Sequence, residues 1–139
     1  MIHFLNVTKQ YGHVTALSNV NITINRGDFA FLVGPSGAGK STFIKLILKE
    51  IHPTSGKIIV DDVDITNLSQ RKIPYFRRKL GVVFQDFRLL PNKTVYENVA
   101  FAMETVSASP KEIRRQVPMI LGMVGLSGRA KLYPHQLSG

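Results

Sequence analysis

The sequence predicts an α/β fold in which a buried strand leads through a phosphate-binding loop into a helix. Residues 34–42 read Gly-Pro-Ser-Gly-Ala-Gly-Lys-Ser-Thr and fit the pattern G-x-x-x-x-G-K-[ST] at every specified position. Residues 29–33 form a continuous apolar run, as in strands that are buried on both faces of a parallel sheet. Apolar side chains follow the loop at helical spacing, at Phe43, Ile44, Leu46, Ile47 and Leu48. This order of strand, glycine-rich turn and helix predicts a site for a nucleoside triphosphate.

The loop residues predict a cradle for phosphate groups. Glycines allow backbone conformations that other residues avoid, and they let amide groups approach phosphate oxygens. Lys40 would reach the β- and γ-phosphates, Ser41 would ligate Mg²⁺, and Thr42 would donate to a phosphate. We therefore expect a nucleoside triphosphate and Mg²⁺ as cofactors, with contacts from Gly34, Pro35, Ser36, Gly37, Ala38, Gly39, Lys40, Ser41 and Thr42. The alternative is a chance match, which arises in roughly one in a few hundred chains of this length.

The composition is that of a soluble globular protein. Of 139 residues, 44% are hydrophobic and 19% are charged, and no apolar stretch approaches the roughly 18 residues of a membrane span. The lack of a signal peptide pattern and of cysteine predicts a cytoplasmic location. The net charge of +9 indicates an anionic partner, and residues 71–79 carry five cations and no acid. This basic segment is either a solvated amphipathic surface or a docking surface.

Other apolar runs predict further strands. We expect strands at 2–7, 16–24, 57–62 and 80–84, with the last one ending at Gln85. Tyr11 falls on a predicted loop, where it either stacks on a purine or covers a hydrophobic edge. Asp61 and Asp62 follow an apolar run, as the aspartate of a Walker B magnesium site does. Because that run is short and continues through residues 63–65, we expect a strand and turn in a small antiparallel sheet instead.

Two capping boxes predict helices in the second half of the chain. Thr94 with Glu97 marks the first helix, which is expected to end near residue 106. Ser109 with Glu112 marks the second helix. Pro118 is expected to bend or break this second helix before it resumes.

Three features outside the loop resemble the nucleotide-binding domain of ATP-binding cassette (ABC) proteins. They are Tyr11, the sequence Val-Phe-Gln at 83–85, and Tyr-Pro-His-Gln-Leu-Ser-Gly at 133–139, so the resemblance spans the whole chain. It implies that Tyr11 stacks on adenine. It also implies that Gln85 contacts Mg²⁺ and the water network of the reaction, as a catalytic and metal-binding residue. Ser138 and Gly139 would belong to a signature that binds ATP held by a second copy.

The resemblance implies a P-loop NTPase fold of the ABC ATPase type. An N-terminal antiparallel β subdomain and the loop core would occupy about residues 1–90, and a helical subdomain about 91–139, incomplete at the C-terminus. In the family, the Walker B carboxylates, the D-loop and the switch histidine follow the signature. We therefore expect ATP hydrolysis by the full-length protein and no turnover by these 139 residues alone. The apolar neighbourhood of residues 29–33 would then be exposed to solvent.

Within the family, residues 82–100 are most similar to members that act in bacterial cell division. This implies an integral membrane partner, a homodimer of ATPase subunits, control of peptidoglycan hydrolysis, and a position on the inner face of the cell membrane. The ATPase subunits of lipoprotein and macrolide exporters share much of the pattern. Phe87, Leu89, Leu90 and Tyr96 would lie near the groove that receives the membrane subunit, or would simply pack in the core.

A basic nucleic-acid-binding module is the alternative from another functional class. The charge of +9 and the basic segment 71–79 favour it. The sequence has no interleaved aromatic stacking platform and no recognisable reading helix. We therefore expect no nucleic acid partner.

Overall fold

The computed structural model describes residues 1–137. The chain divides into two compact units, the first comprising Met1–Leu80 and the second beginning at Gly81. Each unit has its own cluster of buried apolar side chains.

The first unit is built around a four-stranded antiparallel sheet. Its strands are β1 (Ile2–Tyr11), β2 (Val14–Ile24), β3 (Ser55–Val60) and β4 (Val63–Asp64), in the order β2-β1-β3-β4 across the sheet. Two helices, α1 (Lys40–Ile47) and α2 (Ile73–Arg77), belong to the same unit. Tyr11 is the last residue of β1 and lies opposite Val14, so the expectation that it lies on a loop is wrong. The loop itself is only the two-residue turn between the strands.

Apolar side chains from the sheet and α1 form the core of the first unit. The rings of Phe4 on β1 and Phe43 on α1 stack with their centroids 4.3 Å apart. Val7, Leu46 and Ile58 are almost fully buried in the same cluster. The helical spacing that the sequence shows after the loop therefore fixes α1 to the sheet. The packing of α1 on the sheet also sets the position of the loop, because the loop leads directly into α1.

Asp61 and Asp62 form the turn between β3 and β4, so the expected small antiparallel sheet is confirmed, but the extension of the predicted strand to residue 62 is wrong. Both have positive φ, 45° and 64°, which is typical of the tight turns that join antiparallel strands. The carboxylate of Asp61 accepts a hydrogen bond of 2.7 Å from the amino group of Met1 and lies 3.5 Å from the guanidinium of Arg26. The bond from the amino group holds the pKa of Asp61 below its ordinary value. This aspartate is therefore a structural ion-pair partner.

The predicted strands at 29–33 and 80–84 are not formed. Within the described part of the chain, neither segment pairs with another strand. Phe29, Phe31 and Val33 are 85%, 79% and 84% exposed, so the expectation of burial on both faces is wrong, and that of exposed apolar surroundings is confirmed. An apolar run indicates that a segment favours burial, but a strand also needs neighbours that supply hydrogen bonds.

The second unit is helical. It contains α3 (Val95–Thr105), α4 (Pro110–Met123) and two 3₁₀ helices at Ser127–Arg129 and Pro134–Gln136. Both predicted capping boxes are present. Helix α4 continues through Pro118, so a break at this residue is wrong, whereas a bend stays a prediction. Proline removes one helical hydrogen bond, and Val117 and Leu121, which are almost fully buried on either side of it, hold the helix in the core.

Candidate nucleotide-binding site

The glycine-rich loop is pinned against β2 by a contact that only glycine permits. Gly39 has φ of 83°, in the left-handed region, and is the N-cap residue of α1. A Cβ atom at this position would collide with the carbonyl oxygen of Ala16 and lie 2.9 Å from Cδ2 of Leu17. Gly37 has a similar φ of 81°, but a Cβ there would meet nothing within 4 Å. Gly39 is therefore needed for both its backbone conformation and its close packing, whereas Gly37 is needed for its conformation only.

Helix α1 begins without any side-chain cap. Gly39 supplies no capping hydrogen bond, and there is no acidic residue in the first turn. The first backbone N–H groups of a helix have no partner within the helix, and the helix dipole gives this end a partial positive charge. Ser41 and the loop residues 34–38 are exposed around it. This end of α1 therefore presents open donors and positive potential to an anion.

The side chain of Lys40 folds over the loop. Its Nζ donates to the carbonyl oxygens of Gly34 at 2.7 Å and Pro35 at 2.6 Å. An ammonium group has three N–H donors, so one donor remains for an external acceptor. The turn beneath it is closed by a hydrogen bond of 3.2 Å from the amide of Ala38 to the carbonyl of Pro35. The charge of Lys40 is thus held directly at the open end of α1.

Tyr11 lies in the same unit as the loop, at the tip of the β1–β2 hairpin. Its ring is 45% exposed. The ammonium group of Lys9 lies 5.0 Å from the ring centroid, within the range of a cation–π contact. An exposed aromatic ring beside a cation has the surface and charge that suit a nucleotide base next to phosphate.

Gln85 lies in the second unit, in a turn with an unusual backbone. Its side chain is exposed. Phe87 and Arg88 both have positive φ, 54° and 46°, which is uncommon for residues other than glycine. The Arg88 guanidinium stacks on the ring of Phe84, with 3.8 Å from Cζ to the centroid, and its Nε lies 3.6 Å from Oδ1 of Asp86. These contacts hold a strained turn in shape around Gln85. Ser138 and Gly139, the predicted signature residues, lie outside the described residues.

The family model described as ABC transporter matches residues 17–139, which is most of the chain. The match begins on β2 and includes the whole glycine-rich loop and α1. The chain belongs to the ABC transporter family. The sequence resemblance to this family is therefore confirmed.

Three similar curated proteins carry the name cell division ATP-binding protein FtsE. The one from Bacillus subtilis is 49% identical over 140 residues, which cover the whole of this chain and 61% of that protein. The one from Mycobacterium tuberculosis is 49% identical over 141 residues with the same coverage. The one from Escherichia coli K12 is 47% identical over 140 residues and is covered to 63%. The chain thus spans about three-fifths of the length of the curated relatives it matches.

Two solved structures of the cassette MJ0796 share the fold. A dimeric structure of this bacterial ABC transporter cassette matches with a TM-score of 0.88 at 37% identity, covering 100% of this chain and 64% of that one. A dimeric post-hydrolysis state bound to ADP and Pi matches with a TM-score of 0.86 at 36% identity, covering 99% and 63%. The predicted fold class, an α/β fold of the ABC ATPase type, is confirmed. Over residues 1–137, no helix has the length and apolar character needed to cross a bilayer.

Sequence reasoning missed the side chain that caps the other end of α1. Arg77, on α2, donates from Nε to the carbonyl of Leu48 at 2.9 Å and from Nη2 to the carbonyl of Lys49 at 3.2 Å. These carbonyls belong to the C-terminal end of α1, where a cation also complements the helix dipole. Arg77 therefore stabilises the C-terminal end of α1. Its separation from Leu48 by 29 positions left no local signal.

Sequence reasoning also missed Asn98, which organises the segment before α3. Its Nδ2 donates to the carbonyls of Leu90, Lys93 and Thr94 at 3.1, 3.0 and 3.0 Å. Its Oδ1 accepts from the amide of Leu90 at 2.8 Å. One amide group thus fixes the path of residues 90–94. The sequence offers only a weak signal for this role, a carboxamide directly before the apolar run 99–103 of α3.

Proposed function

We propose that this chain binds Mg²⁺-ATP at the loop 34–42 and is the ATP-binding part of an FtsE-type subunit in bacterial cell division. The observation that carries the proposal is the end of α1. Open backbone donors, the helix dipole and the ammonium of Lys40 converge there, over a loop whose glycines leave room for phosphate oxygens. Each of these features favours a multiply charged anion over a neutral ligand.

The side chains present also fit a magnesium ion. The exposed hydroxyl of Ser41 and the exposed carboxamide of Gln85 are oxygen donors of the kind that Mg²⁺ takes together with waters and substrate phosphates. When bound, the ion would neutralise charge that develops on the phosphates. Lys40 would hold the β- and γ-phosphates, and Gln85 would orient water in the reaction. Tyr11 would stack on adenine from the hairpin tip.

The proposed active assembly is a dimer. A signature that includes Ser138 and Gly139 would contact ATP held by the other copy, so two nucleotides would lie between two subunits. The dimeric structures of MJ0796 support this arrangement by similarity. We also propose that residues of about 1–90 form the β subdomain with the loop core, and that residues of about 91–139 form a helical subdomain.

The proposed partner is an integral membrane protein of the FtsX type. Binding and hydrolysis of ATP would then control peptidoglycan hydrolysis, and the subunit would lie on the cytoplasmic face of the cell membrane through this partner. The names of the relatives support the assignment. Phe87 and Leu89 are exposed apolar side chains in the segment where the membrane subunit would dock. The alternative is the ATPase subunit of a lipoprotein or macrolide exporter.

The nucleotide site is tested by removing the charge of Lys40. A charge-assisted contact contributes about 1.5–3 kcal/mol, so Lys40→Ala should weaken Mg²⁺-ATP binding by roughly tenfold to a hundredfold and abolish phosphate release. Lys45→Ala is the matched control, because this exposed lysine lies in the last turn of the same helix. Calorimetric titration of the full-length variants would measure their ATP affinities, and an assay of phosphate release would measure their turnover. Equal affinities in the two variants would refute the site.

The cell-division assignment needs a separate test. The full-length protein should copurify from membranes with an FtsX-type subunit when the two are co-expressed. Phe87→Asp together with Leu89→Asp should abolish copurification and leave ATP affinity unchanged. If the unmodified protein binds ATP but is retained only by an exporter subunit, the exporter alternative is correct.

A further inference from the structure

A small apolar cavity lies in the first unit, and none of its lining residues belongs to the glycine-rich loop. Its volume is about 250 Å³. The apolar part of its wall consists of Val60, Val63, Leu68, Tyr75, Phe76 and Leu80. The cavity is therefore formed by the β3–β4 hairpin on one side and by α2 and the residues around it on the other.

Positive charge surrounds this cavity. Lys72 and Lys79 line it, and both are exposed. Arg71 and Arg78 are exposed in the same segment, and in the described part of the chain no salt bridge joins any of these four cations to an acid. The Arg78 guanidinium lies 5.1 Å from the ring centroid of Tyr75. The rim thus combines an aromatic wall with uncompensated cations.

Two other charged side chains of this region, Asp61 and Arg77, already have partners within the first unit. Asp61 also lines the cavity, but its carboxylate is paired with the amino group of Met1 and with Arg26. Arg77 bonds the carbonyls at the C-terminal end of α1. The net potential at the mouth is therefore positive, and it favours an acidic occupant.

The size of the cavity restricts the occupant further. Pockets for cofactors and drug-sized ligands are roughly 300–1,000 Å³, so this one is below their range. It is large enough for one bulky apolar side chain. Protein interfaces commonly bury such an anchor in a central pocket and surround it with polar and charged contacts. An anionic membrane surface would use the cations but would not need the cavity.

We propose that the cavity and the cations Arg71, Lys72, Arg78 and Lys79 form a docking surface for an acidic segment of a partner protein, which inserts one large apolar side chain. This surface is independent of the proposed nucleotide site. Occupation of the cavity would bring the apolar anchor against Val63 and Phe76, while flanking carboxylates would meet the lysines at the rim.

Fluorescence anisotropy with a labelled nine-residue peptide tests the proposal on the full-length protein. The peptide has a central phenylalanine flanked by glutamates, and two matched peptides replace the phenylalanine with alanine or the glutamates with lysines. Loss of the anchor should weaken binding by about tenfold or more. Lys72→Glu with Lys79→Glu should weaken it by a similar factor, and binding should fall as salt is raised.

The matched control is Lys111→Glu with Lys131→Glu, two exposed lysines of the second unit. It changes the net charge equally and should leave peptide affinity unchanged. Val63→Trp, at a half-exposed wall position, should block the peptide without altering the rim charges. Thermal unfolding and ATP titration of each variant would show that the fold is intact.

The proposal is overturned if the alanine peptide binds as tightly as the phenylalanine peptide, or if the two double variants behave alike. Sedimentation with phosphatidylglycerol vesicles covers the membrane interpretation. Vesicle binding that depends on Lys72 and Lys79, together with indifference to the peptide anchor, would show that the surface contacts lipid instead.

Discussion

The three longer helices among residues 1–137 begin in two different ways. Helices α3 and α4 are closed at their N-terminal ends by Thr94 with Glu97 and by Ser109 with Glu112. Helix α1 begins at Gly39, with no capping side chain and no acidic residue in its first turn. The amide of the third helical residue is therefore bound by a side chain in α3 and α4, whereas α1 has no side-chain cap.

This difference shows how the N-terminal end of a helix can stay available as a binding site. A capping box satisfies the donors and places a carboxylate where the helix dipole is positive, which stabilises the helix and excludes other anions. Gly39 at the start of α1 provides no such stabilisation. In exchange, Lys40 and the open donors remain available to a ligand that carries its own negative charge.

The largest expected effect comes from Gly39→Ala. The left-handed backbone costs alanine about 1–2 kcal/mol, and collision with Ala16 and Leu17 adds a packing penalty, so the total loss should be about 3 kcal/mol. Gly37→Ala is the control, because it has the same backbone strain but no neighbour within 4 Å. Urea unfolding of the full-length proteins would measure both. Equal losses would mean that the contact with β2 does not fix the loop.

The comparison is tested more directly by giving α1 the acid that the other helices carry. Thr42 occupies the third helical position, which Glu97 and Glu112 occupy in α3 and α4. Thr42→Glu should weaken ATP binding by about tenfold or more, because its carboxylate competes with phosphate for the same donors. It should not lower the stability of α1. Thr42→Gln is the neutral control, and an equal loss of affinity in both would assign the effect to the threonine hydroxyl.

The same contrast separates what the sequence could predict from what it could not. A capping box is a pattern over four residues, and both predicted boxes are confirmed. The run at 57–62 and its continuation also predict the antiparallel β3–β4 pair correctly, although β3 ends at Val60 and not at residue 62. The loop motif predicted which residues surround the open end of α1. The contact of Gly39 with Ala16, and the cap that Arg77 places on the far end of α1, join residues more than twenty positions apart. Neither follows from a local pattern.

The errors have the same origin. The apolar runs 29–33 and 80–84 have the composition of strands, which is a local property, whereas strand pairing requires a partner elsewhere in the chain. Proline is a local helix breaker, which predicts a bend or a break of α4 at Pro118, and the break does not occur. Burial of Val117 and Leu121 in the core overrides that preference. Tertiary contacts decided each of these cases.

A smaller effect is expected from removing one of the caps. Ser109→Ala should destabilise the protein by about 1 kcal/mol, because it leaves the amide of Glu112 without its acceptor. Ser109→Gly should cost only a few tenths of a kcal/mol, since glycine leaves the helix end open to water. Urea unfolding would rank the two variants, and ATP affinity should be unchanged in both. A change in ATP affinity would contradict the separation of closed and open helix ends.

The smallest expected effect is a pH dependence that belongs to the closed ends alone. The backbone amide and hydroxyl of Thr94 hold the pKa of Glu97 below its ordinary value of 4.5, and the hydroxyl and amide of Ser109 do the same for Glu112. A carboxyl with a lowered folded pKa stabilises the protein above its unfolded pKa. This contribution is lost as the pH falls through the lower folded value.

The double variant Glu97→Gln with Glu112→Gln isolates this contribution from other carboxyl groups. The unmodified protein should be slightly more stable than the variant above the ordinary pKa of 4.5, and the difference should vanish as the pH falls below it. Urea midpoints measured across that range, at low salt, would show the convergence. Helix α1 has no acid in its first turn and so adds nothing to the difference. A constant gap at every pH would mean that the two carboxylates act through packing and not through charge, and the two kinds of helix end would then differ in geometry only.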